Sequence, residues 1–102
     1  MHSISNNLLV VRVKVDPDVE SEWNTWYNKV HLPEISECPG FLSASRYMSE
    51  DESGRLYLTV YELEHANAAE STEFNARRGW AHFSDKVHAN VHTFKKISEG
   101  KM

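Results

Sequence analysis

At 102 residues, with 40% hydrophobic and 25% charged side chains, the chain has the size and balance of one globular domain with a single core. A net charge of −4 with scattered basic residues argues against a nucleic-acid footprint, and no apolar run is long enough to span a bilayer. The start, Met1 to Asn7, lacks the basic-then-apolar pattern of a signal segment, and the single Cys38 cannot form an internal disulfide, so a reducing cytoplasm is the expected setting.

In chain order, Leu8 to Val15 alternates Leu9, Val11, Val13 and Val15 onto one face, the pattern of a strand. Its other face starts apolar at Leu8 and Val10 and turns polar at Arg12 and Lys14. Asp16-Pro17-Asp18 ends it and offers a cap for a helix, on which Val19, Trp23, Trp26 and Val30 share one stripe. Pro33 predicts a stop or kink near His31, because a residue before proline is biased away from helical angles. Cys38-Pro39-Gly40 reads as a loop.

Phe41 to Met48 and Leu56 to Leu63 follow as strands, with Ser49 to Gly54 as a polar hairpin loop. Tyr57, Thr59, Tyr61 and Leu63 share one face of the second strand, while Leu56, Leu58, Val60 and Glu62 share the other. His65 to about Arg77 is predicted as a helix, Arg78-Gly79 breaks it, and Trp80, Phe83 and Val87 suggest a helical turn. Ala89 to Ile97 is the last strand and Ser98 to Met102 a frayed tail, giving one domain over 1–102 with a core of about 8–97 and flexible tails.

The order β-α-β-β-α-β, with right-handed crossovers, predicts an α+β fold: a ferredoxin-like four-stranded antiparallel sheet with both helices on one face. The uncovered face is partly apolar, which predicts an isologous homodimer through the sheet.

Trp26 to Glu34, then Pro39-Gly40-Phe41, Arg46-Tyr47 and Gly79 to Val87 resemble the EthD-like branch of the dimeric α+β barrel superfamily over residues 8 to 97. The resemblance implies a pocket in each protomer between helices and sheet. The chemistries in that superfamily run from cofactor-independent monooxygenases and polyketide cyclases to lactone isomerases, aldoxime dehydratase-like enzymes and haem-degrading enzymes, so fold alone does not choose among them.

Within that frame His31 is the expected general acid/base, since imidazole exchanges protons near neutral pH. A nearby helix end favours its charged form and partial burial opposes it. Tyr27, at i−4, is the expected helper, and Glu34 is expected to be solvated. Trp23 and Trp26 are mainly core residues that also line a ligand pocket, together with Tyr47, Tyr61, Trp80, His82, Phe83 and His92. His82, His88 and His92 match no firm metal motif, so no metal is expected. Arg46 is expected to be a buried guanidinium sharing a face with Leu42, Ala44 and Met48, and to pair with Glu62 or a substrate carboxylate. No phosphate loop, serine elbow or HExxH helix is present.

These residues together predict a small cofactor-independent enzyme using lyase, isomerase or cyclase-type acid–base chemistry on a hydrophobic aromatic or polyketide-like molecule. A non-catalytic small-molecule binder is the first alternative. A haem-degrading or cofactor-free monooxygenase is the second, with Asn7, Trp80 and a later histidine as the haem set.

Overall fold

In the computed structural model the branched residues of β1 (Asn7–Val15) occupy the middle of the sheet. The structure describes residues 4–100; Met1 to Ser3 and Lys101-Met102, the outer parts of the two expected tails, lie outside the described residues. β1 pairs antiparallel with β3 (Gly54–Leu63) and β4 (Val87–Lys95), so that Val11 stands opposite Thr59 on one side and Val91 on the other. β2 (Phe41–Asp51) pairs with β3, completing the order β2-β3-β1-β4. This is the expected α+β, ferredoxin-like βαββαβ sheet. The hairpin is tighter than expected: Asp51 pairs with Gly54, leaving only Glu52 and Ser53 in the turn.

One face of the sheet carries Leu9, Val11, Val13, Thr59, Tyr61 and Leu63, all buried beneath the helices. A bulge between Phe41 and Ser43 corrects the reading of β2. It puts Phe41 beside Ala44 and Arg46 on the covered face and leaves Leu42 exposed, because the extra residue shifts the alternation by one. At the entry to β2, Gly40 has φ +82°, and a Cβ there would sit 2.9 Å from the Ala68 Cβ. A side chain at position 40 would push the turn holding Ala68 off the sheet.

The first helical segment does not stop at His31. A 3₁₀ turn (Pro17–Val19) leads into α1 (Glu20–Trp26), a π turn (Tyr27–His31) and α2 (Leu32–Ser36) without interruption. Leu32 N–H donates to the Tyr27 carbonyl, five residues back, and the widened turn gives the Pro33 ring room against the preceding carbonyls. It also shifts the inward face. An ordinary α-helix continued from Trp23 and Trp26 would turn Val30 inward; the surplus residue turns His31 and Ile35 inward and leaves Val30 exposed. Asp16 extends no side-chain cap to this helix, and its carboxylate instead meets His88 Nε2 at 3.1 Å.

The second covering segment is broken. A 3₁₀ turn (Ala66–Glu70) ends at an extended Ser71, whose hydroxyl accepts from Phe74 N–H and caps α3 (Thr72–Arg77). Gly79 (φ +116°) then precedes a 3₁₀ turn (Ala81–Lys86) whose first residue, Ala81, is itself left-handed (φ +52°). β4 begins at Val87, two residues earlier than expected.

Candidate functional site

Between the sheet, the π turn and the 72–80 stretch lies a cavity of about 230 Å³. Its walls are Leu9, Val11 and Tyr61 from the sheet, Tyr27, His31 and Ile35 from the helix, and Phe74, Arg78, Gly79 and Trp80 from the second segment, with Val91 at the edge. The three helical wall residues are spaced i, i+4, i+8. Four residues overshoot a full α turn by about 40° and a π turn undershoots it comparably, so the two deviations cancel and the three form one row.

His31 is 5% exposed. Its ring stacks on Trp26 at 4.7 Å with 18° between planes, meets the edge of Tyr27 at 4.9 Å, and lies 5.4 Å from Trp80. Neither ring nitrogen has a hydrogen-bond partner among the described residues. Burial, assisted by the positive charge of Arg46, lowers its pKa to about 4. The expected pull of a helix end toward the charged form is absent because the helix runs on. At neutral pH His31 is therefore an uncharged imidazole, suited to accept a proton or a hydrogen bond and poorly suited to begin as an imidazolium acid.

Tyr27 and Tyr61 bring hydroxyls to the wall. Thr59 Oγ1 donates to Tyr27 Oη at 2.8 Å, and the two tyrosine oxygens are 3.2 Å apart. Burial raises both phenols, so both stay protonated, and Arg46 opposes the rise in each. Tyr27 touches His31 with its ring and not its hydroxyl, so it packs the imidazole and does not orient it through a hydrogen bond.

Arg46 departs from its expected ion pair. Glu62 stands on the opposite face of the sheet, where its carboxylate accepts from Ser43 and from Ser5 N–H. The guanidinium instead donates to Asn28 Oδ1 (2.7 Å) and Asn24 Oδ1 (2.9 Å), and its Cζ lies 4.2 Å from the Tyr27 ring centroid. Its Nε is buried without a hydrogen-bond partner among the described residues.

The remaining expected site residues divide. Tyr61 and Trp80 join Tyr27 and His31 in the cavity wall. Trp26 backs His31 from outside, and Trp23, fully buried against Tyr27 and Tyr57, belongs to the core behind the wall. Phe83 and His82 line a separate shallow groove with Trp26. Tyr47 and His92 point the other way: Tyr47 is opposite Leu58 and His92 opposite Val10, both on the open face, because strand alternation carries them there. His88 pairs with Asp16, so the three late histidines do not converge, and no cluster of three metal-ligating residues occurs among the described residues. The haem set also fails to converge: Asn7 lines a recess with Ala66 and Phe94, away from Trp80. Residues missed in the sequence include Phe74, Ile35, Arg78 and Thr59; only the strand alternation at Thr59 gave a signal.

Solved structures share this architecture. An EthD family protein from Bacillus halodurans C-125 matches with a TM-score of 0.67 and 10% identity, over 89% of this chain and 99% of that one. SnoaB, a cofactor-independent oxygenase from Streptomyces nogalater, matches at 0.68 and 10%, over 93% and 97%. The heme-degrader MhuD from Mycobacterium tuberculosis, with two hemes bound in its active site, matches at 0.62 and 16%, over 93% and 99%. At these identities the likeness shows the fold, and at that level the expected resemblance to the EthD-like dimeric α+β barrels holds. No curated protein matches the chain. A family model described as "Domain of unknown function (DUF4286)" matches residues 7–97.

Proposed function

The chain belongs to the DUF4286 family, and from that premise we propose that it is a small enzyme working by acid–base chemistry on a hydrophobic aromatic or polyketide-like molecule, without an organic cofactor. The observation that carries the proposal is His31: a buried, uncharged imidazole with neither nitrogen partnered among the described residues, in the wall of an apolar cavity that also presents phenol hydroxyls. His31 accepts a proton from the ligand. The Tyr27–Tyr61 hydroxyls hydrogen-bond the oxygen on which negative charge develops, and Arg46, behind Tyr27, favours that charge. Returning the proton to another carbon gives an isomerisation; passing it to a hydroxyl that leaves as water from the neighbouring carbon gives an elimination; passing it to the oxygen of a carbonyl that the ligand's own carbanion attacks gives an aldol-type cyclisation. At about 230 Å³ the cavity lies below the ~300–1,000 Å³ range of drug-sized ligand pockets, which suits one or two rings better than a porphyrin.

The same proposal includes a homodimer through the open sheet face, where Leu8, Val10, Leu58 and Val60 are only half-buried and Tyr47 and Phe94 are exposed. It also includes a cytoplasmic setting, in keeping with the buried free thiol of Cys38.

Native mass spectrometry of the purified protein tests both parts, reading the oligomer and any co-purified small molecule. With that molecule as substrate, His31→Gln is expected to lower kcat by ~10²–10⁴-fold while the fold and binding persist. Undiminished turnover in H31Q overturns the role of His31. Binding without turnover by the wild type would instead favour a storage or delivery protein, and oxygen consumption would favour a monooxygenase.

A further inference from the structure

We propose that the ligand of this cavity carries a carboxylate, which Arg78 holds at the mouth while the ring system lies inside against Phe74 and Trp80. This deepens, and rests on, the reading of the cavity as the reactive site. Among the described residues no acidic side chain lines the cavity. Its one permanently charged residue is Arg78, which has no carboxylate partner among the described residues. The Arg78 guanidinium lies over the Phe74 ring, 5.8 Å from Cζ to centroid, and Phe74 is itself part of the wall. The adjacent Arg77 is occupied differently, donating to the Glu34 carbonyl.

Arg46 strengthens the case from the other side. It is packed under the Tyr27 ring and bonded to two neutral amide oxygens, so its charge is not cancelled by a carboxylate. Two positive charges thus flank an apolar space that faces no negative one, in a chain whose net charge is −4. A hydrophobic anion fits this arrangement. Its apolar part displaces water from aromatic walls, and its charged end stays at the exposed rim, where desolvation is least costly. A guanidinium fork matches a carboxylate in two parallel hydrogen bonds, which favours a carboxylate over a diffuse anion. In that pose the buried end of the ligand, remote from the carboxylate, is the part next to His31.

Arg78 can be changed without undoing the fold, because the bond that closes α3 is made by its backbone N–H to the Phe74 carbonyl. The test is an NMR titration of the full chain with 2-naphthoate and its neutral isostere 2-naphthamide, following the Gly79 amide and the His31 ring, repeated on Arg78→Gln. The expected result is that naphthoate binds about tenfold more tightly than the amide to the wild type. Arg78→Gln should abolish that preference, and added salt should weaken it in the wild type. If both compounds shift Gly79 and His31 with equal affinity, or if the preference survives in R78Q, the carboxylate proposal is overturned and the cavity reading stands. If neither compound perturbs these resonances, both fall.

Discussion

Residues 17–36 cover the sheet as one unbroken helical run, in which a π turn joins two α-helical pieces, whereas residues 66–86 cover it in three short pieces separated by extended or left-handed residues. The first run supplies Trp23, Tyr27, His31 and Ile35, all buried, in a row fixed by continuous backbone hydrogen bonds and by packing on β3. The second supplies Phe74 as its own anchor, then Arg78 and Gly79 exposed and Trp80 half-buried at the cavity mouth. One side of the cavity is therefore a fixed wall. The other is a rim whose local backbone is less cooperative, the place where ligand entry and selection are cheapest to build.

The contrast can be broken most directly at its rigid end. Trp23→Ala should cost about 3–5 kcal/mol in chemical denaturation, the expected range for a fully buried aromatic, and Trp80→Ala clearly less. Equal losses would mean that the rim is as structural as the wall. Next in size is the pH dependence set by His31. Its pKa is about 4 in the fold and near 6.5 in the unfolded chain, so the unfolded state takes up the proton first. The stability tied to the neutral ring is complete above pH ~6.5 and is lost as pH falls through 4, on the order of 3 kcal/mol in all. The difference between wild type and His31→Gln in urea midpoints across that window isolates it, and parallel profiles would place His31 in water.

Smaller effects sharpen the rim. A Cβ at Gly79 meets nothing within 4 Å, so Gly79→Ala probes only the backbone angle and should destabilise by about 1–2 kcal/mol. Ala81→Gly should do the reverse, raising stability by up to ~1 kcal/mol, since alanine at φ +52° carries strain that glycine does not. Thermal melts of the two variants, shifting in opposite directions, would establish that left-handed backbone at 79 and 81 shapes the mouth.

Much of the fold was legible because the strands alternate cleanly: Leu9-Val11-Val13 and Thr59-Tyr61-Leu63 fall where the pattern puts them. His31, Tyr27, Tyr61 and Trp80 were legible as residues of the covered side, where they line one cavity. Three things were not. The bulge at Leu42 costs no recognisable turn residue, so it leaves no mark in the sequence. The π turn was hidden behind Pro33, which reads as a helix stop unless the backbone widens ahead of it. The placement of Tyr47 and His92 on the open face was hidden for a different reason: both faces of their strands carry apolar residues, so alternation could not say which face was covered.

The widened turn at Tyr27–His31 amounts to one spare link in a chain that is otherwise wound to pitch. Removing the exposed Lys29 would take out the surplus residue and bring the Pro33 ring back against the preceding carbonyls, so the run should kink there while Tyr27, His31 and Ile35 stay on the same side. A deletion or insertion elsewhere in the run would rotate one half against the other by about 100°. The molecule thus offers a natural experiment in which backbone shape is changed while every wall side chain is retained, separating what the site owes to its residues from what it owes to the path of the helix that carries them.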